Sequence, residues 1–484
     1  MAKQSGLAIR VLSVASEVFP LIKTGGLADV TGALPAALAR EGVEIRTLVP
    51  GYPAVMAALM LGTEVKAWPD WFGGPAQLLA GEAAGLALFV LNAPHLYNRA
   101  GGPYAGPDGK DWPDNAHRFA ALARAAAVIG QGAVPGWVPG VVHAHDWQAG
   151  LTAAYFALGQ RPGTVFTVHN LAFQGWFEAA LLGPLGLAAS AYTVDGIEYY
   201  GGIGMLKAGL ALSDRITTVS PTYAAEIQTE AGGMGLAGLL RTRAPALSGI
   251  LNGLDGANWD PAHDPYLAAS FGPGRLTRRA RNKAGLQARM GLAERPDALL
   301  CGVVSRLTEQ KGMDVLLRVL PGLVASGGQF VMLGAGDPAL GSGFARVAQA
   351  HPGQVSVMLG FDEAVSHQVF AGVDALLVPS RFEPCGLTQL CAMRYGAVPV
   401  VSRVGGLNDT VIDANDAALA AGVATGLQFT PVDPAGLETA LRRLRHLWSQ
   451  PKAWAAVQRN GMKAEFGWEA PARAYAALYR AVAA

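Results

Sequence analysis

Apolar residues in this chain collect into short unbroken runs set off by turn residues, with helically spaced apolar positions between the runs. Leu7 to Ala15 predicts a buried strand, with Gly25-Gly26 at the turn that follows. Leu27, Val30, Leu34 and Leu38 then share one helical face, Pro35 predicts a kink, and Val43 to Val49 is the next strand. Strand, glycine-rich turn, helix, strand is the opening of a parallel doubly wound sheet. Val141 to His145, Thr164 to Val168 and Arg215 to Val219 extend it, and breaker-rich text from Ser248 to Asp255 closes the first half. The second half starts afresh with a strand at Leu299 to Ser305 and a helix marked by Met313, Leu316, Leu317, Leu320 and Leu323. Gln329 to Leu333, Val355 to Leu359, Ala375 to Val378 and Val398 to Val401 are further strands, and the text beyond Pro434 is helical through Pro471 to Ala484. The pattern is an α/β fold of two Rossmann-like, doubly wound lobes. Ligands of such sheets bind outside the carboxyl ends of the strands, here across an expected cleft between lobes.

The length of 484 residues agrees with two lobes of roughly 200–250 residues each. Half the chain is apolar and 15% is charged, which supplies two large cores and excludes disorder. With 37 basic and 36 acidic residues there is no global field to gather nucleic acid or an anionic membrane. A neutral polymer or a small metabolite is the expected partner. The local run Arg275, Arg278, Arg279, Arg281 and Lys283 contains no interleaved aromatic residue and reads as a solvated helix face. Three unpaired cysteines, Cys301, Cys385 and Cys391, make neither a disulfide framework nor a zinc site. No apolar run is long enough to span a membrane and no cleavage-site pattern follows the N-terminus, so the expected location is cytoplasmic.

Four segments carry candidate chemistry. Arg306 follows a predicted strand and Lys311 opens the next helix; cations are disfavoured at a helix N-terminus, so an anion such as a diphosphate is the natural partner of both. Pro379 to Thr388 leaves a strand and enters a helix near Leu387: Gly386 permits close backbone approach, and Glu383 stands where a carboxylate can hold hydroxyls or cap the helix. Lys23 to Asp29 places a cation and two glycines after the first strand, by spacing either a ligand loop or an ordinary turn. His143, His145, Asp146 and His169 cluster at strand ends, but no third metal ligand accompanies the two closely spaced histidines, so neither a metal nor another cofactor is expected.

Eight motifs in order, KTGGLADV (23–30), LYNRAGGPY (96–104), HAHDW (143–147), TVHNLAFQG (167–175), ITTVSPTYAAEI (216–227), ILNGLD (250–255), SRLTEQKG (305–312) and PSRFEPCGLTQL (379–390), resemble bacterial glycogen synthases and plant starch synthases. The resemblance spans essentially the whole chain. It implies the GT-B glycosyltransferase fold: an acceptor-side lobe at 1–252, a nucleotide-sugar lobe at 253–460, and a C-terminal helical tail, 461–484, packing back on the first lobe. It implies transfer of glucose from ADP-glucose to glycogen or another α-1,4-glucan, with retention of configuration and no metal. By position, Arg306 and Lys311 would neutralise the diphosphate, and Glu383, Cys385, Gly386, Leu387 and Thr388 would surround sugar and phosphate. Lys23, Gly25, Gly26 and Asp29 would approach the donor, His169 would sit beside the transferring glucose with Asp146 and Asn252 nearby, and Tyr97 would contact the acceptor.

Two positions depart from the family pattern: Gln148 where histidine is usual, and Phe361 where tyrosine commonly stacks on adenine. Phenylalanine keeps the stacking face and loses the hydroxyl. Eight residues past Glu383 stands Cys391, where many other retaining two-lobe transferases carry a second glutamate. The competing readings are a relative that uses UDP-glucose and a noncatalytic glucan-binding protein. Oligomeric state is not legible in the sequence.

Overall fold

The computed structural model describes residues 8–156 and 161–483. Leu7 and Ala484, the outer ends of the first predicted strand and the last predicted helix, lie outside the described residues. Two compact units form: one runs to Gly253 and resumes at Trp468, and the other is Leu254–Gly467. Residues 461–467 therefore stay with the second unit.

The first unit is built on a nine-stranded sheet. From one edge its order is Leu247–Gly249, Arg215–Thr218, Gly163–Val168, Val141–His145, Ile9–Val14, Val43–Pro50, Leu86–Asn92, Ala76–Ala83 and Met60–Trp68. The first seven are parallel and the last two are antiparallel additions; these two, with the parallel strands Leu86–Asn92 and Leu247–Gly249, were not predicted from the apolar runs. Inner strands such as Val141–His145 are buried at every residue, because helices cover both faces. The chain first builds outward from Ile9–Val14 through Val43–Pro50, then returns to add Val141–His145 on the other side. The order reverses between Ile9–Val14 and Val141–His145, which opens a crevice at their carboxyl ends. The helix Gly26–Ala39 runs through Pro35 as one element, its face of Leu27, Val30, Leu34 and Leu38 buried. A small antiparallel sheet of Trp176–Glu178, Gly202–Gly204 and Glu198–Tyr199 was also not predicted.

The last helix, Glu469–Ala483, buries Pro471, Ala472, Tyr475, Ala476 and Tyr479 against this unit. Each buried aromatic contributes on the order of 2 kcal/mol. The Tyr479 hydroxyl lies 2.7 Å from His143 Nδ1, and Thr167 Oγ1 lies 2.6 Å from His143 Nε2. His143 is thus a satisfied core residue of the strand it sits on.

The second unit holds a six-stranded parallel sheet in the order Val355–Leu359, Gln329–Gly334, Leu300–Val304, Ala375–Val378, Val398–Ser402, Leu427–Phe429. Its reversal falls between Leu300–Val304 and Ala375–Val378, the strands that precede Arg306 and Glu383. Of the five cations expected on a solvated face, Arg275, Arg278 and Arg281 are exposed, but two turn inward. Arg279 and Lys283 are 7% and 8% exposed. Arg279 donates to the carbonyls of Tyr395 (2.9 Å) and Val373 (2.6 Å), and Lys283 pairs with Asp374 at 2.7 Å. They share a helical face with buried Leu286, so i, i+4 spacing turns them inward, and acceptors there compensate the buried charge.

Candidate active site

In the second unit, the loop after Leu300–Val304 and the loop after Ala375–Val378 are stitched together. Arg381 donates its amide to Gln310 O at 2.8 Å and grips Asp314 with two bonds of 2.6 and 2.7 Å. Gly312, at φ +66, lies so close to Pro379 that a Cβ would come within 1.9 Å of its carbonyl oxygen. Across this seam Lys311 Nζ meets Glu383 Oε2 at 2.6 Å, and Ser380 Oγ donates to the same oxygen at 2.8 Å. The two charged side chains are 19% and 9% exposed, so their attraction is only weakly screened. Gly405, at φ +41, backs the segment: a Cβ there would stand 2.0 Å from Glu383 O. Arg306 is exposed and has no ion-pair partner among the described residues.

Beyond Glu383 the chain turns through Gly386, at φ +72, into the helix Thr388–Arg394. No acceptor among the described residues takes the amides of Gly386 and Leu387, and no side chain caps this helix. Cys385 is buried, 5% exposed, and belongs to the wall of the turn. Phe361 follows Val355–Leu359 and is 77% exposed, an open aromatic face past a strand end. An unpaired guanidinium, an ammonium held by a carboxylate and free amides, all past the carboxyl ends of adjoining strands, suit an anion with several oxygens.

In the first unit, the loop after Ile9–Val14 is organised by Glu17, a residue the sequence motifs did not single out. Its carboxylate accepts from the Thr24 amide and the Tyr104 hydroxyl, from Thr24 Oγ1 at 2.6 Å, and from the Gly25 amide at 3.3 Å. The available signal was an acid set between the apolar strand and Val18; its pairing with Tyr104, 87 positions on, cannot be read from spacing. Lys23 pairs with Asp29 at 2.6 Å, part-exposed to solvent, so the pair adds little stability. A Cβ on Gly25 or Gly26 would meet nothing within 4 Å, so the space before this helix is open.

Across the crevice, Asp146 sits at φ +55, a conformation uncommon for any residue but glycine. Its Oδ1 accepts the His169 amide at 2.7 Å, tying the ends of two neighbouring strands. Burial pushes its carboxyl up to about 7, against the pull of the His169 and Asn170 amides. The His169 ring, 9% exposed, has its Nε2 3.0 Å from His145 Nδ1; burial pushes His169 down to about 3, so it is neutral. Asn252 follows the edge strand and its Oδ1 is buried without a partner among the described residues. Gln148 Oε1 is in the same condition.

Tyr97 does not fit the contact role expected of it. It is 1% exposed, its hydroxyl donates to Arg118 O at 2.6 Å, and its ring stands edge-on to Tyr52. The apolar helix that carries it turns it into the core, where it packs and offers no surface to a sugar. Among the described residues no group of three or more His, Cys, Asp or Glu side chains is disposed to hold a metal ion, and no helix is long and apolar enough to cross a membrane.

Residues 10–242 match the family described as starch synthase catalytic domain, and residues 298–446 match glycosyl transferases group 1. A glycogen synthase of Rhodopseudomonas palustris (strain BisA53) is 62% identical over 474 residues, covering 98% of this chain and 97% of that protein. One of Acidiphilium cryptum (strain JF-5) is 59% identical, covering 98% and 99%. Among solved structures, the catalytic domain of starch synthase IV from Arabidopsis thaliana, bound to ADP and acarbose, superposes with a TM-score of 0.87. It is 31% identical, and the match covers 99% of this chain and 100% of that one. Two Rossmann-like units, the two matched regions and near-full-length identity around 60% agree: the chain is a GT-B glycosyltransferase and belongs to the glycogen and starch synthase family.

Proposed function

We propose that this enzyme transfers glucose from ADP-glucose to the non-reducing end of an α-1,4-glucan, releasing ADP with retention of anomeric configuration. The observation that carries the reading is the clamped pair of loops in the second unit. It offers exposed Arg306 after one strand, the Lys311–Glu383 pair across the seam, and free amides at Gly386 and Leu387. That set suits a nucleoside diphosphate leaving group. Arg306 and Lys311 stabilise the charge that grows on the diphosphate as the glycosidic bond breaks. Glu383, held on one oxygen by Lys311 and Ser380, keeps its other oxygen for sugar hydroxyls. Cys385 shapes the turn, and the Thr388 end of the helix faces phosphate oxygens. Phe361 stacks on the adenine.

The first unit supplies the groups around the sugar. Lys23 exchanges Asp29 for the donor, Gly25 and Gly26 leave room for its approach, and His169, with Asp146 and Asn252, meets the transferring glucose. With one carboxylate in the second-unit set, retention follows from attack on the face that the diphosphate leaves, without a covalent glucosyl-enzyme. The test is release of nucleoside diphosphate in the presence of glycogen, comparing ADP-glucose with UDP-glucose. Glycogen-dependent release from ADP-glucose is expected. Preference for UDP-glucose overturns the donor, and silence with both donors in a protein that binds glucan overturns the catalytic reading.

A further inference from the structure

We infer that Ser13 and His145 are positioning residues that set the tautomer of His169, so that its free ring nitrogen is an N–H donor. His145 is fully buried and lies between the other two: its Nε2 is 3.2 Å from Ser13 Oγ and its Nδ1 is 3.0 Å from His169 Nε2. His169 Nδ1 has no protein partner among the described residues, and neither does Ser13 Oγ apart from His145. Burial keeps both rings neutral, which leaves one proton on each.

Two proton arrangements connect the three groups. In one, Ser13 O–H donates to His145 Nε2, His145 Nδ1–H donates to His169 Nε2, and the His169 proton stands on Nδ1. In the other, every bond reverses: His169 donates to His145, His145 donates to Ser13, and the Ser13 hydroxyl hydrogen points at nothing. Ser13 is 4% exposed, so that orphaned donor would be buried at a cost. The first arrangement therefore dominates by about tenfold or more. His143 does not interfere, because both of its nitrogens are engaged by Tyr479 and Thr167. The chain passes from the strand Ile9–Val14 through Val141–His145 to the end of Gly163–Val168, so three neighbouring strands fix one proton. On the proposed reaction, His169 thus donates a neutral hydrogen bond to a sugar oxygen and does not accept one.

This inference rests on the proposed reading only for what His169 touches, and the test separates the two. The full chain, with histidine labelled in 13C and 15N and the His169 signals assigned by loss in H169Q, is observed by NMR at pH 7 without substrate. His169 protonated on Nδ1 is expected; protonation on Nε2 overturns the inference whatever the enzyme transfers. In S13A the His169 signals are expected to move toward a mixture of tautomers, and an unchanged spectrum removes Ser13 from the chain. In kinetics with the donor, H145N keeps an amide donor near the Nδ1 position and is expected to hold kcat within about threefold. H145L is expected to lower kcat about tenfold with little change in KM. Equal kcat in H145N and H145L overturns the positioning role.

Discussion

Asp146 carries a cost that the protein bears at neutral pH, and Asp146→Asn should reveal it. Its carboxyl rises from 3.8 to about 7, burial being the largest cause, with Glu17 adding to it and the His169 and Asn170 amides opposing. A carboxyl whose folded value is raised holds its proton more tightly in the folded state. The resulting destabilisation is absent below the unfolded value near 4, grows as pH rises, and is complete above about 7. At 1.36 kcal/mol per unit the full cost is roughly 4 kcal/mol, of which roughly 2 to 3 kcal/mol develops between pH 5 and 8. The asparagine carbonyl can still accept the His169 amide, but its NH2 group is buried where a carboxylate oxygen stood, at a pH-independent cost of about 1–3 kcal/mol. The pH-dependent difference is therefore the clean quantity. Urea unfolding of both proteins at pH 5, 6, 7 and 8, followed by a probe in the first unit, should show the variant gaining on the parent as pH rises. A difference between the two proteins that stays flat from pH 5 to 8 would refute the reasoning.

Lys311→Ala and Arg306→Ala should each lower turnover by about two decades or more, because charge is lost where the diphosphate develops it; near-normal diphosphate release would remove the role. Lys311→Ala should also destabilise the second unit, since Glu383 is left nearly buried with only Ser380 as partner, whereas exposed Arg306→Ala should not. Phe361→Ala should raise the donor KM about tenfold and leave kcat and thermal midpoint alone, as the ring is open to solvent; an unchanged KM would end the stacking assignment. Gly405→Ala should cost about 1–3 kcal/mol and most of the activity, because its Cβ would drive Glu383 from its place; a fully active variant would contradict the packing.

Leu86–Asn92, Leu247–Gly249 and Leu427–Phe429 were missed, but the other parallel strands were legible because burial on both faces leaves mainly apolar runs, as in Leu300–Val304 and Gln329–Gly334. The outer strands Met60–Trp68 and Ala76–Ala83 were not, because an edge hairpin mixes polar residues such as Glu64, Lys66 and Gln77 into its alternation. Arg279 and Lys283 were misread because five cations within nine positions hide which of them lie on the face of Leu286. The motifs located the loops that hold Lys311, Glu383 and His169, since those segments sit at strand ends. What spacing alone does not contain is long-range pairing: Glu17 with Tyr104, Arg381 with Asp314, Ser13 with His145. Tyr97 shows the converse error, a motif residue whose type suggested contact but whose local helix points it inward.

The return of Glu469–Ala483 to the first unit bears on how this protein is made. On the ribosome the first 253 residues emerge long before the helix that covers His143 and the neighbouring strands. At the usual pace of synthesis that delay is on the order of 10 to 50 s, during which the second unit is translated and can fold. Through that interval the nascent first unit presents bare the apolar face that Tyr475 and Tyr479 later bury. It is then a natural client for a chaperone, and a nascent chain stalled before Trp468 would remain one.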